Sequence, residues 1–425
     1  MAINTENENC SIVAFKNIPD SVYAKFDHYS NKFYIRTNYS KPNFSIMVLP
    51  ENEHDIKKAE NVFSFLSDTT ITELNFNAGK LLLSFQHGIT TDFGVVDEAT
   101  LSFKHLKWKE NNYTVSFCKN ISETKTELNF ESYLEPPQRW IYDIPNDIIS
   151  QTKHTEIRGY NKNKYEVKIA NAKHSDGTTI PIVMIGMKKG KKTRPMLMEV
   201  YAAGMGKSLL PGFRSDFFPL LDRGFIYAYP LVRGSGELGY EWYKKGAKQN
   251  KTKTFEDLAV CAKWVQENKL TTYNTLFLYG ISAGGYTVAH LANEYPQFFK
   301  GIILNVPEVV ILQGLQKKYD PFYLLNADLH GNIEDEKVYD FIKKSDPYIN
   351  TRKGQYPNML IFSAYNDENV PVESVAKYVA RLRECNISNN LVLFRTHMNE
   401  DHDGGQYGQL QRTAIIYFFL LNLAY

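Results

Sequence analysis

Three residue types, met in one order along this chain, could together make an activated nucleophile. Ser282 lies in Gly280-Ile-Ser-Ala-Gly-Gly285, after the apolar run Leu276-Phe-Leu-Tyr279 and before a helix-compatible stretch, Tyr286 to Glu294. A serine at a sharp strand-to-helix turn needs small residues two positions away on either side, and the glycines at 280 and 284 meet that need. Gly285 would let the helix pack closely on the sheet. A serine hydroxyl is a weak nucleophile until a histidine takes its proton and a carboxylate orients that histidine. When the serine comes first, the acid and then the histidine are expected beyond later strands. The apolar segment Met359 to Ala364 runs into Tyr365-Asn-Asp-Glu-Asn-Val-Pro371, so Asp367 stands at a strand's end, with Glu368 its close rival. After Leu391 to Arg395 come His397 and His402. His397 is too near the strand and reads as structural. His402 sits in Glu400-Asp-His-Asp-Gly-Gly405, whose glycines would let the loop approach the serine. Acyl transfer also needs two donors for the oxyanion. One is the backbone N–H of Ala283; the second is expected from a loop after an early strand, around Tyr201.

These groups need a rigid frame, and residues 165–425 have the pattern of one. Tyr165 to Ala170 and Thr179 to Ile185 flank an Asp176-Gly177 hairpin signal. Pro195 to Val200, Phe225 to Val232, Leu276 to Tyr279, Gly301 to Val306, Met359 to Ala364 and Leu391 to Arg395 read as buried strands. Helical spacing falls between them at Phe255 to Asn268, Tyr286 to Glu294, Val372 to Glu384 and Leu410 to Leu423. Apolar strands alternating with amphipathic helices predict a mostly parallel, doubly wound sheet covered on both faces. With the serine turn, this is the pattern of an α/β-hydrolase domain over 165–425.

Residues 1–164 read differently, as an all-β region. Lys32 to Asn38, Phe44 to Leu49, Lys80 to Phe85, Leu101 to Phe103 and Tyr113 to Cys118 are short, aromatic and β-branched, separated by Asn, Asp, Gly, Ser and Pro clusters. Spacing suits a sandwich, a barrel or about three propeller blades of some 40–50 residues each. Glu135-Pro-Pro137 and the polar stretch 150–163 mark the change of character.

Composition narrows the class. The 425 residues are 43% hydrophobic and 23% charged with a net charge of +2, values ordinary for a soluble globular protein and without the basic excess of a nucleic-acid binder. The Lys188 to Lys192 cluster reads as a solvated turn. Cys10, Cys118, Cys261 and Cys385 are scattered, with neither CxxC nor metal-ligand spacing. The expectation is a reducing compartment, with no metal and no organic cofactor. The polar, acidic N-terminus lacks the regions of a signal peptide, and the longest apolar stretch, Ala414 to Leu421, is too short to span a bilayer. The protein is expected to be cytoplasmic.

The chain resembles the prolyl oligopeptidase family, and its oligopeptidase B branch most. The resemblance is carried by Leu221-Asp-Arg-Gly-Phe225, Val232-Arg-Gly-Ser-Gly-Glu-Leu-Gly-Tyr-Glu-Trp-Tyr243 and Lys253-Thr-Phe-Glu-Asp257. It continues through Gly280 to Gly285, Tyr295 to Pro307, Asp346-Pro-Tyr348, Asn366 to Val370, Lys377 to Glu384 and His402-Asp-Gly-Gly405. Upstream, Phe33-Tyr-Ile-Arg-Thr-Asn38 looks like a propeller segment. The resemblance implies a serine peptidase acting on short peptides, with Ser282 as nucleophile, Asp367 as acid, His402 as base, and the Tyr201 hydroxyl beside the Ala283 amide as oxyanion donors. Arg233 and Glu237 are its implied substrate-binding residues. Val200 and Ala202 stand where the family has glycines, and Glu199 where it has a tyrosine. Asn326 and Asp328 occupy the positions of glutamates that hold a basic side chain before the cut. The β region implies a partial propeller of about three blades where the family has seven, to be met by self-association or by a complementing fragment. An esterase on the same fold and a non-catalytic remnant are the competing readings.

Overall fold

A computed structural model of the chain describes residues 2–3, 12–19, 22–66, 69–108, 110–205, 209–316, 327 and 329–425. Contacts divide the chain into two compact units. The first comprises Met1–Tyr160 with Leu210–Phe213 and Leu238–Glu241; the second comprises Asn161–Leu209, Arg214–Glu237 and Trp242–Tyr425.

The first unit contains three antiparallel four-stranded meanders, each the architecture of one propeller blade. The strands are Ala24–Tyr29, Lys32–Thr37, Ser45–Pro50 and Glu60–Phe63, then Thr70–Asn77, Lys80–His87, Thr90–Asp97 and Phe103–Leu106. Tyr113–Asn120, Lys125–Ser132, Gln138–Asp143 and Ile148–His154 form the third. A single parallel bridge, Thr114 to Thr91, joins the second and third meanders. Leu82, Phe93, Val115, Leu128 and Phe130 are buried in the core beneath them. At the tight turn after Asp97 that residue's carboxylate accepts the N–H groups of Ala99 and Thr100, which is why the Asp-Glu-Ala-Thr sequence interrupts the strands there.

The second unit is an eight-stranded sheet. In chain order its strands are β1 (Tyr165–Lys173), β2 (Thr179–Met187), β3 (Met196–Glu199), β4 (Ile226–Pro230), β5 (Leu276–Ile281), β6 (Gly301–Asn305), β7 (Asn358–Ala364) and β8 (Val392–His397). Their spatial order is β1-β2-β4-β3-β5-β6-β7-β8. β1, β2 and β4 pair antiparallel, and every pair from β4 to β8 is parallel. The central strands are buried throughout, as near-continuous apolar runs demand. The main helices are α1 (Thr252–Glu267), α2 (Gly284–Glu294), α3 (Glu336–Ser345), α4 (Val372–Cys385) and α5 (Gly405–Ala424).

Two differences from the sequence expectation have local causes. α3 was not expected, although Asp335 caps its first turn and Val338 and Ile342 lie one turn apart on its buried side. α5 starts at Gly405 rather than Leu410, because Gly404 takes a left-handed φ of 70° and turns the chain directly into the helix. Tyr407 and Leu410 are exposed there, so apolar periodicity hides the first turns. Among the described residues no helix is long and apolar enough to cross a membrane.

Candidate active site

β5 delivers Ser282 at the C-terminal edge of the parallel strands, and α2 begins two residues later. Ser282 holds a φ of +52°, a left-handed conformation that costs a non-glycine residue of order 1 kcal/mol or more. Its surroundings over-determine that conformation. The Ser282 N–H donates to Asn305 O at 3.0 Å, and Ser282 O accepts from Glu308 N at 2.9 Å and from Gly285 N at 2.9 Å. The elbow is therefore sewn to the end of β6, where Val306 is also strained at φ +42°.

Asp367 and His402 arrive from the loops after β7 and β8. His402 Nε2 lies 2.9 Å from Ser282 Oγ, and His402 Nδ1 lies 2.7 Å from Asp367 Oδ2. The other carboxylate oxygen of Asp367 accepts the N–H groups of Asn369 at 2.9 Å and Val370 at 2.7 Å. Asp367 is buried with a fully covered side chain, whereas Glu368 is exposed, so the structure brings Asp367 to the histidine and leaves its rival in solvent. With Oδ2 accepting from Nδ1–H, Nε2 is left to accept the serine proton.

The loop carrying His402 is held by an ion pair the sequence did not announce. Arg412 on α5 donates to Glu400 Oε2 from Nε at 2.9 Å, and its Nη1 reaches Asn305 Oδ1 and the carbonyl of His402, each at 3.4 Å. Glu400 also pairs with His397 Nδ1 at 3.0 Å, which gives His397 the structural place expected for it. A Cβ on Gly404 would lie 2.8 Å from both Arg412 and Glu400. That glycine thus makes room for the ion pair that holds the His402 loop.

The loop after β3 brings Tyr201 against the elbow. A Cβ at Gly284 would sit 2.9 Å from Val200 O and 3.0 Å from Tyr201 Cα, so only glycine at 284 lets this loop lie so close. Burial, with the Glu308 carboxylate nearby as a second cause, raises the Tyr201 hydroxyl above its ordinary range and keeps it a proton donor. The Ala283 N–H opens α2 without an intramolecular partner among the described residues. Glu199, at the family's tyrosine position, is bound by Arg214 Nη1 at 3.0 Å and by the Tyr227 hydroxyl at 2.6 Å.

A cavity of about 370 Å³ is lined by residues that follow β6 and by the segment that leads into α4. Val309, Val310, Ile311, Leu315 and Val370 make much of its wall apolar; its polar members include Glu308 and His330, 3.1 Å apart, and Glu373 and Lys377, the latter bound to Gln313 Oε1 at 2.7 Å. Glu308 is the residue whose N–H holds Ser282, and Asn369 and Val370, also in the wall, hold Asp367. Three residues of the cavity wall thus hold Ser282 and Asp367 through their backbone N–H groups. Glu308, His330 and Lys251 escaped sequence reasoning; Glu308 follows the quoted Val306-Pro307, and Lys251 stands just before the quoted Lys253-Thr-Phe-Glu-Asp257.

Four further candidates remain. Asn326 and Asp328 lie outside the described residues. Glu237 is wholly buried. Arg233 is buried as well, with its guanidinium on Asp257 (Nε 2.9 Å, Nη2 2.6 Å) and on Asp176 (Nη1 2.7 Å). Two stretches of the family resemblance, Val232 to Tyr243 and Lys253 to Asp257, thereby meet in one ion pair inside the fold. Among the described residues no group of His, Cys, Asp and Glu could hold a metal ion.

Against known proteins, residues 211–424 match the family model described as the prolyl oligopeptidase family, and residues 4–155 match its N-terminal beta-propeller domain. The chain is 27% identical over 409 residues to Protease 2 of Moraxella lacunata, covering 95% of this chain and 59% of that protein. It is 28% identical over 404 residues to dipeptidyl aminopeptidase BI of Pseudoxanthomonas mexicana, covering 93% and 56% respectively. The fold superposes on oligopeptidase B from Leishmania major with a TM-score of 0.89 at 24% identity, over 95% of this chain and 58% of that one. The chain thus spans less than two thirds of the length of these relatives.

Proposed function

The chain belongs to the prolyl oligopeptidase family, and on that premise we propose that it is a serine peptidase cleaving short peptides through an acyl-enzyme. The observation that carries this reading is the continuous hydrogen-bond path from Ser282 Oγ through His402 to Asp367, at 2.9 and 2.7 Å. In the proposed reaction Ser282 Oγ attacks the scissile carbonyl carbon while His402 Nε2 takes its proton. Asp367 holds the imidazole in the accepting tautomer and stabilises the imidazolium that forms. The negative oxygen of the tetrahedral intermediate lies between the Ala283 N–H and the Tyr201 hydroxyl. Collapse expels the amine, which leaves with the proton returned by His402. A water then repeats the sequence on the acyl ester: His402 takes its proton, and Ser282 recovers its own as the acid departs.

The cavity lined by Glu308, whose N–H holds Ser282 O, would receive the side chain preceding the cleaved bond. Its apolar walls suit an aliphatic stem, and the Glu308 carboxylate favours a cationic tip, which supports a preference for Arg or Lys there. A fluorophosphonate probe tests the reaction class. Labelling of the folded protein that disappears in Ser282→Ala is the expected outcome; no labelling, or labelling that survives the substitution, overturns the assignment.

A further inference from the structure

Lys251 is a buried lysine that the proposed reaction leaves unused. It is 6% exposed, at the end of the 3-10 turn Lys248–Lys251 that leads into α1. Its ammonium donates to the carbonyl of Ala202 at 2.8 Å and lies 5.5 Å from the centre of the Tyr286 ring on α2. Ala202 directly follows Tyr201 and is held at a φ of +49°, a conformation that an alanine does not keep unaided. The loop is also pressed against Gly284. Two contacts, from Lys251 and from Gly284, thus hold the segment bearing Tyr201. We propose that Lys251 is a positioning residue of the oxyanion site, clamping the Tyr201 loop through Ala202; this rests on the reading of Tyr201 as an oxyanion donor.

The charged groups around Lys251 set how the clamp responds to pH. Glu308, from the segment after β6, faces both Lys251 and Tyr201 and shares its carboxylate with His330. His290 on α2 feels the Lys251 charge, which adds to burial in holding that imidazole neutral. Burial brings the Lys251 ammonium down to about 8, with Glu308 pulling it back upward. Below that pH the clamp is an ammonium on a carbonyl. As pH rises through it, the proton goes to solvent and the bond weakens to that of a neutral amine. Tyr201 is then held less firmly where the oxyanion forms, so the loss falls on kcat rather than KM.

Stability moves the other way. An unfolded lysine titrates near 10.4, so between about 8 and 10.4 the unfolded chain binds more protons, and this group makes the fold more stable as pH rises. Loss of activity in that window is therefore not unfolding driven by Lys251.

The test is a pH series of kcat and KM on one short peptide amide, with the full chain, Lys251→Met, Tyr201→Phe and the double variant. The unsubstituted protein should lose kcat above about pH 8 at constant KM. Lys251→Met should lower kcat at neutral pH by about ten- to a hundredfold, the scale of a misplaced oxyanion donor, and lose the alkaline limb. Tyr201→Phe should lose the same limb, and the double variant should be no slower than Tyr201→Phe alone. An unchanged kcat in Lys251→Met, or additive losses in the double variant, overturns the clamp. Should Lys251→Met not fold, Tyr201→Phe decides by itself, since a limb retained there overturns the clamp equally. Fluorophosphonate labelling of the same samples separates the two readings. Labelled protein with an unchanged Lys251→Met profile sinks the clamp alone; absent Ser282 labelling sinks the peptidase and the clamp with it.

Discussion

Glu308 couples two tasks in one residue. Its backbone N–H holds the carbonyl of Ser282, and its carboxylate lines the cavity beside His330. The first task is indifferent to side chain, so on the proposed function a change at the Glu308 carboxylate alters selectivity while the Ser282 turn stays in place. Cleavage of matched short peptides with Arg or Phe before the scissile bond should favour Arg. Glu308→Gln should cut that preference about tenfold, the worth of one charge-assisted hydrogen bond. Equal rates for Arg and Phe in the unsubstituted protein would remove basic specificity from the proposal. Strain is concentrated at the same scale: Ser282, Val306 and Ala202 all hold left-handed φ values without being glycine, and all border the site. Each is tied by a hydrogen bond from a neighbouring segment, which is how a fold keeps conformations that the residues alone would leave.

Among the elements, the join between the end of β4 and α1 rests on Arg233 and Asp257, both buried, with Thr254 Oγ donating to Arg233 O at 2.8 Å. We assign this pair to holding the frame rather than the substrate. Asp257→Ala would leave a buried guanidinium short of a partner and should cost about 3–5 kcal/mol of stability, read as a lower Tm. The rate at which the remaining folded protein takes up fluorophosphonate should stay within about twofold of the unsubstituted value, because structural support is the only thing removed. A slowed labelling rate at full stability would return Arg233 to the substrate site. Asp346 illustrates the same division of labour. Its carboxylate accepts from Ile349 N at 3.0 Å and Leu312 N at 2.9 Å, so the quoted Asp346-Pro-Tyr348 is a helix cap inside the fold.

Across the whole molecule, two sets of apolar residues fold into separate cores. Leu82, Val115 and Phe130 belong to the first unit and Leu278, Ile302 and Tyr286 to the second. A cavity in one should therefore open that unit first. Leu82→Ala should cost about 2–5 kcal/mol and accelerate amide exchange in residues 70–154, while β5 and β6 keep their protection. Leu278→Ala should do the reverse. Exchange that rises equally in both units for either variant would show one cooperative structure instead.

What the sequence could determine was whatever covalent order and local pattern encode. The strand, tight turn and helix around Ser282 are readable because small residues, apolar runs and helical spacing lie within a few positions of one another. The order of serine, acid and histidine is readable because each follows a strand, and buried parallel strands are apolar throughout. The blades were less legible: a four-stranded meander repeats a backbone geometry that many sequences satisfy, so no residue repeat marks it. Strand position and the family resemblance favoured Asp367 over Glu368, but only tertiary structure separates the two, since adjacent carboxylates differ in which one meets His402 and the amides of Asn369 and Val370. It also put Glu308 into the cavity wall and Lys251 beneath the Tyr201 loop. Those residues sit far apart along the chain, and their chemistry comes from burial and from neighbours that only folding supplies.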